Sequence, residues 1–264
     1  AAVTLEDSAD ERLFAQADRT EVIWQHTRIT GLFPADTDVD SLWRALPDAL
    51  REACRYRAEI LEDKDWEREW MRNYQPRQFA DRLWLCPSWH TPPDPAAVNV
   101  VLDPGLAFGT GTHPTTAMCL EHLAGMALQG VQIIDFGCGS GILAIAALKL
   151  GAQAVWAVDI DEQALWSSRE NAARNGVAAQ LRTALPGQLP DQTFDLLLAN
   201  ILANPLIELA PQLAARVRAG GELVLSGILK DQAAAVSAAY ERWFAMSEPV
   251  ERDGWVRLHG VRES

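Results

Sequence analysis

One stretch of the chain decides its fold: Ile133-Ile134-Asp135-Phe136-Gly137-Cys138-Gly139-Ser140-Gly141-Ile142. It begins as an apolar run typical of a buried strand and passes directly into a turn with a glycine at every second position. Residues 143–150 (Leu-Ala-Ile-Ala-Ala-Leu-Lys-Leu) follow as a predicted helix. Glycines allow a tight turn and a close approach of the backbone to a ligand, and the start of a helix offers free N–H groups and a positive dipole end. The stretch therefore predicts a site for a nucleotide-like cofactor.

The glycine spacing narrows the class of cofactor. Residues 137–141 form G-x-G-x-G, whereas the dinucleotide fingerprint G-x-G-x-x-G requires a glycine where Ile142 stands. A nicotinamide dehydrogenase is therefore disfavoured, and the chain has no G-K-[ST] of a Walker sequence. Asp159 ends the next apolar strand, where a carboxylate would bind the ribose hydroxyls. This layout resembles S-adenosyl-L-methionine-dependent methyltransferases, although Asp159 alone could be a capping residue. Asp161 is predicted to cap the following helix.

Composition and charge exclude some classes of function. The chain has 264 residues, of which 48% are hydrophobic and 22% charged, as in an ordinary globular protein. A formal net charge of −13 argues against binding to a nucleic-acid backbone, which requires a basic face. An acidic surface suits a basic partner, or only keeps the protein in solution. No apolar run is long enough to span a membrane, and the first residues lack the features of a signal peptide.

Cysteine and histidine spacing predicts no metal site. The four cysteines are widely separated and form no C-x-x-C pair, and the five histidines form no ligand-spaced cluster with them. We therefore expect buried, reduced thiols in a cytoplasmic protein.

The chain divides into three predicted parts. Residues 1–62 follow the order β-β-α-β, with the last strand at 56–62, and form a small α+β domain. This is a ferredoxin-like unit without its first strand and helix. Residues 63–82 are predicted as a charged linker helix, and residues 83–264 as the cofactor-binding domain. Because the sequence starts without methionine, we expect it to be an N-terminally incomplete version of a longer protein.

Strands and helices alternate from residue 131 onward, which is typical of a mostly parallel sheet covered on both faces. Asp253-Gly254 predicts an antiparallel hairpin near the end of the chain. The predicted strands are 83–86, 97–102, 132–135, 154–159, 181–183, 194–200, 222–226, 247–252 and 255–260, and the predicted helices are 140–150, 162–175, 203–218 and 230–244.

Asn200 stands at the carboxyl end of the strand 194–200, where ligands bind in an open α/β sheet. We expect it to face both cofactor and acceptor, although it could also cap the following helix. Methyltransferases of nucleobase or glutamine amino groups often carry N-P-P-aromatic here, and the ring stacks on a flat acceptor. This chain has Ile201, Leu202 and Ala203 instead. Without a ring for stacking, a flexible aliphatic amine is favoured over a planar base.

The segment from Phe108 to Thr116 is a second candidate ligand element. Its glycines and threonines are too flexible for a stable strand or helix, and Pro114 suits the first turn of the helix that follows. We expect Thr116 or His113 to hydrogen-bond the methionine end of the cofactor. Phe108 would lie against the sulfonium, since cations favour aromatic faces. An ordinary connecting loop is the alternative, and His113 is expected to be a polar contact rather than a catalytic base.

Three motifs together resemble the bacterial methyltransferases of large-subunit ribosomal protein L11, the PrmA family. They are residues 103–116 (Asp-Pro-Gly-Leu-Ala-Phe-Gly-Thr-Gly-Thr-His-Pro-Thr-Thr), residues 134–150, and residues 199–202 (Ala-Asn-Ile-Leu). The stretches 61–70 and 82–89 also fit, so that the resemblance covers nearly the whole chain. The family's first strand and helix have no counterpart in the sequence.

The resemblance implies a two-domain enzyme that transfers methyl groups from S-adenosyl-L-methionine to lysine side chains and the N-terminal amine of ribosomal protein L11. The small N-terminal domain recognises the substrate, and the linker lets it reposition. Asn200 is predicted to orient the amine, and no general base is assigned. The predicted cofactor contacts are Phe108, His113, Thr116, Gly137, Gly139, Asp159 and Asn200.

Two other functions stay open on the sequence alone. One is a methyltransferase of a small molecule or nucleic acid, against which the acidic charge and the missing aromatic residue argue. The other is a non-catalytic module that only binds the cofactor, against which Asn200 and the 108–116 segment argue. We expect a monomer that contacts neither nucleic acid nor membrane.

Overall fold

The structure, a computed structural model, describes residues 2–7, 27–60, 74–103 and 111–264. Contacts within the chain separate two compact units, residues 1–69 and 70–264. No helix of the described residues is long and apolar enough to cross a membrane.

The first unit is α+β over its described residues. Strands β1 (Ala2–Asp7) and β2 (Thr27–Leu32) pair antiparallel. Helices α1 (Val39–Ala45) and α2 (Asp48–Ala53) follow. The side chain of Asp38 accepts a hydrogen bond from the backbone N–H of Ser41 and so caps α1.

The predicted strand at 56–62 is wrong over the residues that are described, since 54–60 have no regular structure. Tyr56 packs its ring 4.6 Å from that of Trp43 and donates a hydrogen bond to Asp40. Of the alternating residues, Tyr56 thus contacts α1, and the exposed Ile60 forms no strand pairing with the described residues. Residues 61 and 62 lie outside the described part.

The second unit opens with a three-stranded sheet. Strand β3 (Arg77–Phe79) pairs antiparallel with β4 (Leu83–Cys86), which pairs parallel with β5 (Val98–Val101). The predicted linker helix 63–82 therefore does not extend to residue 82. Residues 77–79 of this range instead form strand β3, in which Phe79 is buried. The chain then turns at Ala80, whose φ is 48°. Residues 61–73 lie outside the described part.

The main sheet has the strand order β11-β13-β10-β9-β6-β7-β8, with β12 beside β13. Its five central strands are parallel: β6 (Gln132–Phe136), β7 (Ala154–Val158), β8 (Leu181–Ala184), β9 (Phe194–Asn200) and β10 (Val217–Leu229). Three further strands pair antiparallel: β11 (Phe244–Met246), β12 (Val250–Arg252) and β13 (Trp255–Arg262). The helices are α3 (Pro114–Gly125), α4 (Ile142–Lys149), α5 (Glu162–Arg174), α6 (Ala203–Glu208), α7 (Ala210–Ala215) and α8 (Ala233–Tyr240).

The predicted parallel sheet with two covered faces is confirmed. Neighbouring residues of β6 point to opposite faces, and Ile133 and Ile134 are fully buried in two different apolar clusters. Leu196 and Leu197 of β9 divide in the same way between the two clusters. The sheet is thus a core layer, and ligands can reach it only at the ends of its strands.

Two predicted helices are shorter than expected. The helix 203–218 is interrupted at Leu209, because Pro211 in the next turn has no N–H to continue the ladder. The helix 230–244 ends at Tyr240, and Phe244 begins strand β11. The hairpin at Asp253-Gly254 is confirmed: both residues have positive φ, and Arg252 pairs with Trp255.

Candidate active site

A pocket of about 430 Å³ lies at the carboxyl ends of β6, β7 and β9. This is the point where the strand order reverses, since β6 continues to β7 on one side and β9 to β10 on the other, and open α/β sheets bind ligands at such a switch point. Five of the predicted site residues line it: Thr116, Gly137, Gly139, Asp159 and Asn200. The pocket also contains Asp135, Phe136, Cys138, Ile142, Leu143, Ile160, Pro186, Ile201, Leu202, Pro205 and Leu209.

The turn after β6 requires its glycines. Gly137, Gly139 and Gly141 have φ of 78°, 52° and 77°, which residues with a Cβ rarely adopt. A Cβ on Gly137 would also lie 2.2 Å from Cγ2 of Ile201. The N–H of Gly139 donates to Oδ2 of Asp159 at 3.0 Å. The turn thus brings its backbone close to the carboxylate at the end of β7.

Helix α5 holds the other side of this turn. Ser168 Oγ donates to the carbonyl of Gly139 at 3.0 Å, and Asn171 Nδ2 donates to that of Ser140 at 2.9 Å. Both side chains are buried. Sequence reasoning missed them, and the signal that could have found them is two polar residues on the buried face of a helix. Their bonds attach two successive carbonyls of the turn to α5.

Asp159 accepts two backbone hydrogen bonds, one from Gly139 and one from Asp161 N–H at 3.1 Å. Asp161 itself caps α5 by accepting from the N–H of Gln163 at 2.9 Å, as predicted. The two acids therefore have different tasks: Asp161 begins the helix, whereas Asp159 lies in the pocket wall.

Asp135 is a pocket residue that sequence reasoning passed over as part of an apolar strand. Its side chain is 1% exposed, and Oδ2 accepts a hydrogen bond from the N–H of Ala144 at 3.1 Å. Burial raises the pKa of this carboxyl to about 7; the bond from Ala144 lowers it, and the charge of Asp159 raises it further. An acid at the end of an otherwise apolar strand, directly before the glycine turn, is the signal that could have found it.

Asn200 donates from Nδ2 to Oγ1 of Thr116 at 3.2 Å. The bond joins the end of β9 to the first turn of α3 and directs the amide nitrogen towards that helix. The alternative role of Asn200 as a helix cap is wrong, since α6 is preceded by Leu202 and has no side-chain cap. The carbonyl oxygen of the amide is therefore the part of Asn200 suited to accept a hydrogen bond from a ligand.

His113 lies beside the pocket rather than among its lining residues. It is the N-cap of α3, with Nδ1 2.7 Å from Oγ1 of Thr115, and its ring packs edge-on against Trp255 at 4.7 Å. Pro114 opens the helix, as predicted. Burial lowers the pKa of His113. Phe108, the other residue predicted at the methionine end, lies outside the described residues.

Among the described residues that line the pocket, the charged ones are the two carboxylates Asp135 and Asp159. Apolar side chains at its rim remain open to water, with Ile160 84% and Leu202 60% exposed. This combination fits a ligand that carries positive charge and an uncharged ring. S-adenosyl-L-methionine, with a sulfonium, an ammonium group and an adenine, has this character.

A second group of polar side chains lies away from this pocket. His122, Glu222 and His259 each offer one atom that could bind a metal, and these atoms lie within 4.8 Å of one another. However, the guanidinium of Arg257 contacts Nδ1 of His122. Burial, with the nearby positive charge, lowers the pKa of His122 to about 4. A cation would meet the same repulsion.

The cysteines are free thiols. Cys86, Cys119 and Cys138 are buried, as expected, whereas Cys54 is exposed, so the prediction of a buried thiol is wrong at that position.

The strand order, the glycine turn after β6 and the site at the switch point define a class I methyltransferase fold. The crystal structure of a ribosomal protein L11 methylase from Lactobacillus delbrueckii subsp. bulgaricus matches with a TM-score of 0.66 and 34% identity, over 72% of this chain and 100% of that one.

The family model of ribosomal protein L11 methyltransferase (PrmA) matches residues 1–263. Ribosomal protein L11 methyltransferases from Azotobacter vinelandii and Shewanella halifaxensis are 55% and 54% identical, and the matches cover 98% and 99% of this chain and 90% of each relative. The chain belongs to the ribosomal protein L11 methyltransferase (PrmA) family.

Proposed function

We propose that this protein transfers methyl groups from S-adenosyl-L-methionine to amino groups of ribosomal protein L11. The observation that carries the proposal is the convergence of Thr116, the glycine turn, Asp159 and Asn200 on one pocket, and the charged side chains of its described lining are acidic. Membership of the family supports the choice of protein substrate. The specific acceptors proposed are lysine side chains and the N-terminal amine.

Residues from three elements would hold the cofactor. Asp159 would accept hydrogen bonds from the ribose hydroxyls. The turn at Gly137 and Gly139 would approach the methionine portion of the cofactor, and Thr116 would contact the polar end of that portion. Phe108 and His113 are proposed on the same methionine side. The cofactor supplies a methyl group on a sulfonium, an activated electrophile, and the protein therefore needs no covalent nucleophile.

The task of the protein is then to present a neutral amine. A lysine side chain has a solution pKa of about 10.4, and desolvation in a closed site favours its neutral form. The Asn200 carbonyl oxygen would accept an N–H of the amine, because the amide nitrogen is held by Thr116. Orienting two reactants for attack can account for roughly 7–11 kcal/mol of a barrier. Orientation and desolvation therefore suffice without a general base.

Substrate recognition is proposed for the N-terminal domain, residues 1–62, and methyl transfer for the second unit, residues 70–264. Apolar side chains of this region are open to water, with Val3 68% and Ile29 69% exposed. With a net charge of −13, the protein suits a basic protein partner better than direct contact with nucleic acid. We propose a cytoplasmic location, since the substrate is a ribosomal protein, and we propose that the protein is a monomer.

The test is methyl transfer from labelled S-adenosyl-L-methionine to purified ribosomal protein L11, to ribosomal RNA and to a cell extract in separate reactions. Label on L11, located by mass spectrometry to amino groups, is the expected result. Label on RNA alone would contradict the proposal. Asn200→Ala should lower kcat much more than cofactor affinity, whereas Asn99→Ala, the same substitution outside the pocket lining, should change neither.

A further inference from the structure

Strand β10 passes the pocket with a glycine that touches the residue after Asn200. Gly227 has a φ of 85°, and a Cβ built on it would lie 2.2 Å from the carbonyl oxygen of Ile201 and 2.7 Å from its carbonyl carbon. Neither atom belongs to a side chain that could turn aside. Glycine is therefore the only residue that allows β10 to approach the Ile201 peptide so closely.

The local irregularity of β10 explains this approach. Its parallel pairing with β9 extends to the pair Ser226 and Asn200. Its antiparallel pairing with β13 shifts register between Leu225 and Ile228. Gly227 thus lies in a bulge beside the end of β9, and bulges next to functional sites commonly re-aim nearby groups.

Ile201 is held from its other side by the glycine turn. Its Cγ2 occupies the space where Gly137 would carry a Cβ, 2.2 Å from that position. The backbone of Ile201 thus rests on Gly227 and its side chain rests on Gly137. Asn200 precedes Ile201 directly, so the two glycines together fix the peptide that carries the proposed amine-orienting group.

We propose that Gly227 is a positioning residue for methyl transfer: it contacts no ligand itself, but it sets the place of the Asn200–Ile201 peptide in the pocket. This inference rests on the proposed function. In Gly227→Ala, the distance from the new Cβ to the carbonyl oxygen of Ile201 would have to grow from 2.2 Å to at least 3.0 Å, which displaces the Ile201 peptide. A shift of about 1 Å at a reacting centre can lower a rate by about 100-fold.

Gly227→Ala tests the proposal, with Gly220→Ala as its matched control. Gly220 lies in the same strand and has a φ of 70°, but the atom nearest to a Cβ built on it, Arg218 Nη1, is 3.9 Å away. Both variants place a Cβ at a left-handed φ, and only Gly227→Ala displaces Ile201. We expect kcat for ribosomal protein L11 to fall about 100-fold in Gly227→Ala, with cofactor affinity within about threefold of that of Gly220→Ala. Equal kcat in the two variants would overturn the inference, as would an equal loss of affinity and turnover.

Ile201→Ala acts on the same Asn200–Ile201 peptide through its other contact, the one with Gly137, and serves if Gly227→Ala does not fold. It removes the contact with Gly137 and leaves the peptide less fixed, so kcat should fall by about tenfold, again by more than cofactor affinity. Unchanged turnover in this variant would overturn the inference. Absence of methylation by the wild-type protein would overturn the proposed function as well, whereas variants that match an active wild type would overturn this inference alone.

Discussion

The two ends of the central sheet use their carboxylates differently. At the amino end, Asp195 accepts hydrogen bonds from the N–H of Gln132 and from the guanidinium of Arg218. Partial burial alone would raise its pKa, but these two partners outweigh that effect and lower it. At the carboxyl end, Asp135 is buried with the single backbone bond from Ala144, and its pKa rises to about 7. One carboxylate is satisfied by the protein itself, whereas the other is suited to a cationic ligand.

The cavities at the two ends of the sheet also differ in the residues that line them. A hollow of about 300 Å³ at the amino end is lined by glutamines, alanines, Trp156 and Arg182, with no carboxylate and no glycine among the described residues of its lining. The guanidinium of Arg182 lies 5.5 Å from the centre of the Trp156 ring. The pocket at the carboxyl end combines acids with glycines of positive φ. The local backbone and charge therefore distinguish the site from the hollow at the amino end.

Among the variants that test this difference between the two ends of the sheet, Gly137→Ala should have the largest effect. The new Cβ requires a strained φ and collides with Ile201, so we expect cofactor affinity to fall by at least about 100-fold, which corresponds to roughly 3 kcal/mol. Gly176→Ala is the control, since its φ is 72° and no atom lies within 4 Å of its Cβ. It should lower stability by about 1 kcal/mol and leave affinity unchanged. Calorimetric titration with the cofactor and thermal unfolding separate the two effects; matching affinities would contradict the role of the turn.

Asp159→Asn and Asp195→Asn compare one acid from each end. Loss of a charged hydrogen-bond acceptor costs about 1.5–3 kcal/mol, so Asp159→Asn should weaken cofactor binding by about 10- to 100-fold. Asp195→Asn loses its pairing with Arg218 and should lower the free energy of unfolding by about 1–3 kcal/mol without a change in affinity. Cofactor titration and urea unfolding of both variants measure this. A loss of affinity in Asp195→Asn would show that the two ends are coupled.

The raised pKa of Asp135 predicts a dependence of stability and of cofactor affinity on pH. Between about pH 4 and pH 7 the folded protein keeps a proton on Asp135 that the unfolded chain has released. Its contribution to the free energy of unfolding therefore falls as pH rises through this window, by about 1.4 kcal/mol per pH unit at most. The difference between wild type and Asp135→Asn in urea unfolding, measured from pH 4 to pH 8, should follow that slope. Because a cation favours the carboxylate, cofactor affinity of the wild type should rise through about pH 7, and that of Asp135→Asn should not; parallel profiles would contradict the assignment.

Most of the second unit's fold could be predicted because its signals are local. Each parallel strand is a short apolar run between helices, and Asp253-Gly254 has the chemistry of a tight hairpin. The interruption of the predicted helix 203–218 before Pro211 could also have been predicted. It was overlooked because apolar residues at helical spacing continue on both sides of it. Strand β11 was missed because its three residues form a strand only through pairing with β13.

The site was predicted less completely because some of its parts are long-range contacts. Thr116 and Asn200 were found from their positions at the ends of elements, and the structure brings them together. Gly227 could not be identified from the sequence, since its closeness to Ile201 arises from the bulge in β10. Ser168 was missed because a serine on the buried face of a helix indicates a polar partner but does not identify that partner as the Gly139 carbonyl.

Ser168→Ala gives the smallest expected effect. It tests whether a buried hydrogen bond next to the site contributes to cofactor binding or only to the stability of the fold. It removes the hydrogen bond to the Gly139 carbonyl, a net contribution of about 0.5–1.5 kcal/mol, so cofactor affinity should fall by about three- to tenfold. Tyr240→Phe is the control, because its hydroxyl donates to the Leu206 carbonyl at 2.7 Å and lies outside the pocket lining. Both variants lose one buried bond to a carbonyl and should show similar shifts in Tm. If affinity also changed equally, α5 would only stabilise the fold; if it changes in Ser168→Ala alone, the helix holds the glycine turn in its binding conformation.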